Sequence, residues 1–233
     1  MFGLLHLRQP RCRATEMSCS VITKSIKQHQ TVRPRPAAAE SPPLVDPPRD
    51  CGMLLNMLHE SDPECTTLLD WLDVNDRWET QRAGTFESKN RRRDAYGREG
   101  SDPVPTPVAA VGALILRRLR SLLAVDSRRE MFTDDLLQTV TIMKYVPGDG
   151  LGKHKDTPRV NPFVLGVTIC RDSEATRTMR WRDSAKQKYD MVTPAGSAYY
   201  FFGDAFDNWT HESLPSRKHK CVMYSLTFRR KRA

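Results

Sequence analysis

The spacing of apolar and polar positions changes character near Leu137: before it apolar residues recur as they do on helices, and after it they come in short strand-like runs. In the first part, Ser61-Asp-Pro-Glu64 has the form of a capping box with proline in the first turn, and Cys65, Leu68, Leu69 and Leu72 follow at helical spacing. A second, longer helix is opened by Pro107 and carries Val108, Val111, Ile115, Leu119, Leu122 and Leu123 as one apolar stripe. Its Arg117-Arg118-x-Arg120 side reads as a solvated face, with contact to phosphate as the alternative. From Leu137 onward the runs Gln138–Val146, Phe163–Cys170, Thr176–Trp181, Lys188–Val192, Ser197–Phe202 and Cys221–Phe228 are β-branched or aromatic, with Gly, Pro, Asp and Asn turns between them. Six such strands after two helices predict an α+β, mainly β domain. Its expected core is a double-stranded β-helix (jelly roll) with the N-terminal helices packed on one sheet.

Composition narrows the picture. A chain of 233 residues, 39 % hydrophobic, can bury one core with material to spare. The spare part is at the start: Met1 to Ala39 holds seven Lys/Arg and one acid, Glu16, and leads into a proline-rich link, so residues 1–50 read as a separate leader and 51–233 as the folded domain. The leader has three open readings: an organelle transit peptide, a disordered tail, or an upstream start ahead of Met17. The six cysteines show no CxxC pairing, which indicates reduced thiols in an intracellular compartment, the nucleus or, with a transit peptide, a mitochondrion or plastid. No run approaches the roughly 18 apolar residues of a membrane span. The formal charge of +9 favours a polyanionic partner. Arg91, Arg92 and Arg93, near Phe86 and Tyr96, interleave cations with rings, a combination that can grip a phosphate backbone while a ring stacks on an extruded base.

The chemistry concentrates in Tyr145-Val-Pro-Gly-Asp-Gly-Leu-Gly-Lys-His154-Lys-Asp156. His154 and Asp156 are two residues apart, so on an extended segment both side chains project to one face. A distant histidine, His211, can complete a facial set of two neutral imidazoles and one carboxylate. That donor set suits Fe(II) and leaves positions open for a chelating cosubstrate and dioxygen.

These residues resemble the AlkB-like branch of the Fe(II)- and 2-oxoglutarate-dependent dioxygenases. Tyr145 precedes His154 by nine residues and Arg229 follows His211 by eighteen, both at intervals the family keeps. Trp209-Thr-His211-Glu-Ser-Leu-Pro215 and Gly196-Ser-Ala-Tyr-Tyr-Phe-Phe202 are similar to two of its motifs, and Arg93-Asp-Ala-Tyr96-Gly97 to its nucleotide-recognition lid. The resemblance implies a jelly roll in which His154, Asp156 and His211 hold Fe(II). It also implies 2-oxoglutarate and O2 as cosubstrates, and DNA or RNA carrying alkylated bases, gripped by Arg91, Arg92, Arg93 and Tyr96, as substrate of a monomeric enzyme. A buried dicarboxylate needs a cation and hydrogen-bond donors. Tyr145, Ser225, Thr227 and Arg229 are the residues expected to supply them.

Two positions depart from the family pattern. Met223 stands where relatives carry the arginine for the distal carboxylate of 2-oxoglutarate, and Met143 where they carry an asparagine near the chelating end. Methionine fills space but neither donates a hydrogen bond nor neutralises charge. Two other readings therefore stay open beside nucleobase dealkylation. One is the same oxygenase chemistry on a protein or small molecule; the other is a non-catalytic nucleic-acid-binding relative that has lost 2-oxoglutarate.

Overall fold

A computed structural model describes residues 48–75, 78–80, 92–98, 101–123, 127–156, 163–215 and 220–230. Most of the leader, together with Phe86 and Arg91, lies outside the described residues.

The first helix, α1 (Pro63–Val74), buries Cys65, Leu68, Leu69 and Leu72, the four residues set by its periodicity. Its expected capping box does not form. Asp62 is the N-cap residue, and its carboxylate accepts the His59 N–H at 2.7 Å and two Arg118 N–H groups at 2.6 and 2.7 Å. The helix starts one residue later than the box requires, so Ser61 lies ahead of the N-cap, with its hydroxyl 2.7 Å from His59 Nδ1. Arg118 lies on α2 (Thr106–Leu122) and also donates to the Met57 carbonyl at 2.9 Å, so it ties the two helices together and is not part of a solvated face. Leu122, expected on the α2 stripe, is 62 % exposed. Leu123 extends the row at i+4 from Leu119, and Leu122 falls off its edge.

The strands are β1 (Cys51–Leu54), β2 (Glu79–Thr80), β3 (Arg92–Tyr96), β4 (Thr139–Tyr145), β5 (Leu151–His154), β6 (Val164–Cys170), β7 (Thr176–Arg182), β8 (Lys188–Pro194), β9 (Ala198–Phe201), β10 (Thr210–Ser213) and β11 (Met223–Arg229). They form two antiparallel sheets, one in the order β1-β9-β6-β11-β4-β3-β2 and one in the order β5-β10-β7-β8. The result is a double-stranded β-helix. Each of the six predicted runs is present as a strand, with no end shifted by more than two residues. The stretch from Arg92 to Tyr96, similar in sequence to the nucleotide-recognition lid, is the strand β3, paired with β4.

Strand parity sorts the large sheet into two faces. On β11, Tyr224, Leu226 and Phe228 join α1 and α2 in the main core, while Ser225, Thr227 and Arg229 turn to a cavity facing the small sheet. Beside that cavity Trp181, Met191, Tyr199, Phe201 and Phe206 make a second apolar cluster between the sheets. Among the described residues, no helix is long and apolar enough to cross a membrane.

Candidate metal centre

After β4 the chain leaves the large sheet through a tight turn in which the Asp149 N–H bonds the Val146 carbonyl at 2.9 Å and Gly148 adopts φ +91°. The turn delivers β5 to the small sheet, where His154 lies directly opposite His211 of β10. The two rings are 4.4 Å apart. On the other side of β10, His211 faces Trp181 of β7, with ring centroids 4.9 Å apart, and Phe201 approaches it at 5.2 Å. Burial among these rings, and the neighbouring His154, push the His211 imidazole down to about 3. It is therefore neutral, as a metal ligand must be.

His154 offers a defined ligand atom. Its Nδ1 is 2.8 Å from the Gly152 carbonyl, which only accepts, so Nδ1 carries the proton and the Nε2 lone pair is free. Asp156 follows just after β5. Burial raises its carboxyl, but the Arg229 guanidinium, bonded to both oxygens at 2.9 and 3.0 Å, together with the neighbouring His211 and His154 holds it below the usual range. The three ligand atoms lie within 4.8 Å of one another. His211 Nδ1 is buried without a hydrogen-bond partner among the described residues. Two neutral imidazoles and one carboxylate in this compact group fit a divalent iron.

The cavity between the sheets has a volume of about 320 Å³. Tyr145, Ser225, Thr227 and Arg229, the four residues expected to hold a cosubstrate, all border it. Arg229 sits at its metal end, where it bonds Asp156. Met143 also lines it, and Met223 stands opposite Tyr145 in the β4–β11 register. Two cations were not among the sequence candidates. Arg98 donates to Thr141 Oγ1 at 3.0 Å near Arg229. Arg177, on β7, lies 3.4 Å over the Tyr145 ring and donates to Ser213 Oγ. The signal for Arg177 was present: it shares strand parity with Met179 and Trp181, a charge on the inward side of an alternating run.

The expected substrate residues fare differently. Arg91 lies outside the described residues. Arg92 and Arg93 are held by backbone register opposite Lys144 and Met143. Tyr96, expected to stack on a base, is a core residue at 2 % exposure. Its ring packs on Trp71 at 6.0 Å and its hydroxyl donates to Asp94, so neither ring face is open to a base.

The fold is shared with solved structures. The chain is similar to the structure of OsALKBH1, with a TM-score of 0.57 and 14 % identity over 80 % of this chain and 100 % of that one. It is also similar to a prolyl-4-hydroxylase from Pseudomonas putida, with a TM-score of 0.52 and 13 % identity over 79 % and 94 % of the two chains. At these identities the likeness is one of fold. No family model matches the chain, and no curated protein matches it.

Proposed function

We propose that the chain is an Fe(II)- and 2-oxoglutarate-dependent oxygenase of AlkB-like type that oxidatively removes alkyl groups from nucleobases in DNA or RNA inside the cell. The observation that carries the oxygenase reading is the grouping of His154, Asp156 and His211 at one end of a cavity between two sheets, with Arg229 bonded to the carboxylate. The nucleobase reading rests on the sequence motifs around His154, His211 and Arg229, the charge of +9, and the fold shared with OsALKBH1, an AlkB homologue.

In this reading His154, Asp156 and His211 hold the iron, which supplies activation of dioxygen when bound together with the oxo acid. Arg229 keeps Asp156 ionised and fixes its orientation. Tyr145 and Ser225 offer hydroxyl groups to a carboxylate. Trp181 and Phe201 exclude water from the buried side of His211.

A second reading, oxygenase chemistry on a protein side chain, is favoured by one observation: Tyr96, the expected stacking ring, is buried. One experiment separates the two. Single- and double-stranded oligonucleotides carrying alkylated bases, and a set of cellular peptides, are incubated with iron-loaded protein, 2-oxoglutarate and air, and followed by mass spectrometry. Loss of the alkyl group from an oligonucleotide supports dealkylation; a gain of one oxygen on a peptide with unchanged oligonucleotides supports the second reading.

A further inference from the structure

Arg177 is 9 % exposed, yet among the described residues it forms no ion pair. Its neighbours on β7 do: Arg180 bonds Asp190 at 2.6 Å, and Arg182 bonds Glu212 at 2.6 Å. Arg177 instead has the face of Tyr145 and the Ser213 hydroxyl. A guanidinium has five N–H donors, and burying it beside a ring and one hydroxyl leaves most of its charge uncompensated. It also lines the cavity that contains the metal triad. A buried cation that opens onto a cavity, without a protein carboxylate of its own, is arranged for an anion that arrives from outside.

We propose that Arg177 holds the distal carboxylate of a dicarboxylate 2-oxo acid, supplying from the facing sheet the charge that Met223 does not carry. The inference rests on the oxygenase reading above and names its cosubstrate-selecting residue. Three further observations support it. Met223 is the β11 partner of Tyr145, the ring Arg177 covers, so the cation lies beside the methionine position of the last strand. The cavity wall around it carries hydroxyl groups, Thr168, Thr193, Tyr199 and Ser225, with Tyr199 Oη 3.4 Å from Ser225 Oγ. These are groups that complete the hydrogen bonding of a carboxylate. Arg177 also lies four residues along β7 from Trp181, the partner of His211, a strand distance of about 13 Å. The cation and the metal triad thus border one cavity at separate positions along β7.

The test compares 2-oxoglutarate with 2-oxopentanoate, which has the same carbon chain but no distal carboxylate. Anaerobic Fe(II)-loaded protein is titrated with each acid, and the affinity is read from the visible band of the metal chelate. Near-ultraviolet circular dichroism and the thermal midpoint verify that each variant is folded. The wild type is expected to prefer 2-oxoglutarate by about 10- to 100-fold, the range for a hydrogen-bonded charge pair. Arg177→Met should erase that preference and leave 2-oxopentanoate affinity unchanged. Arg177→Lys, which keeps the charge but not the planar fork, should retain part of it. Adding Met223→Arg to Arg177→Met returns a cation from the neighbouring strand and should restore the preference. If folded Arg177→Met still prefers 2-oxoglutarate as the wild type does, the proposal is overturned while the oxygenase reading stands. If the wild type gives no chelate band with either acid, both fall together.

Discussion

His154 and His211 are opposed partners on one antiparallel ladder, with their rings 4.4 Å apart at an interplanar angle of 56°. Residues 57 positions apart in the chain are thus fixed as neighbours by backbone hydrogen bonds, before any ion arrives. Asp156 has no such support, because it lies beyond the end of β5. Its position depends on the side-chain contact with Arg229 of β11, on the opposite sheet. The metal centre therefore has two ligands set by strand register and one set by an ion pair across the sheets.

That division predicts the effect of Arg229→Met. Removing the guanidinium takes away the strongest of the groups that oppose protonation of this buried carboxyl, so its pKa rises and metal binding meets competition from protons. The affinity for Mn(II), a redox-stable stand-in for Fe(II), should fall by about 10- to 100-fold, the cost of losing a partner that orients a ligand. The loss should be greater in mildly acid than in neutral buffer. Calorimetric titration in both buffers checks it, and a pH-independent loss would refute the protonation argument.

Burial of a neutral His211 makes the metal-free domain sensitive to acid. Its folded value of about 3 lies below its ordinary value of 6.5, so between these the unfolded chain binds a proton that the fold refuses. The contribution is full above 6.5 and is lost as pH falls toward about 3, a few kcal/mol at most. His211→Gln should flatten the fall in stability across this window. Urea unfolding of metal-free wild type and variant at several pH values measures the difference, and parallel curves would remove the assignment.

Gly166 tests the wall of the cavity. A Cβ at this position would lie 2.0 Å from the Tyr199 ring, which crosses the β6 backbone at its β9 partner position. Gly166→Ala must displace Tyr199 from Ser225. The overpacking should cost about 1–3 kcal/mol and lower the thermal midpoint by several degrees. Metal affinity should be retained, because His154 and His211 lie on the other sheet. Thermal unfolding with a parallel Mn(II) titration checks both halves.

The parts of the fold legible in the sequence are those whose residues follow a single pattern. The four buried leucine and cysteine positions of α1 and the alternation of β11 carry their geometry in plain view. β5 and β10 do not, because Leu-Gly-Lys-His and Thr-His-Glu-Ser spend their side chains on the metal centre and its surroundings and leave no apolar rhythm. β3 was hidden for a related reason. Its charges suggest a solvated loop, yet Asp94 and Tyr96 turn inward and bond each other. His154, Asp156 and His211 could be picked out by spacing and residue type. Arg177 shows in the sequence only as a charge on the inward side of an alternating run, since its place over Tyr145 of the facing sheet is supplied by the tertiary structure.

In the proposed function the triad and the cavity together bind iron and a chelating oxo acid. The most direct measurement is an anaerobic titration of Fe(II)-loaded protein with 2-oxoglutarate, followed by the visible charge-transfer band, with His211→Ala alongside. A saturable band is expected in the wild type and none in a folded His211→Ala variant. A wild type that binds iron but develops no band, or a variant that develops the same band, would contradict it.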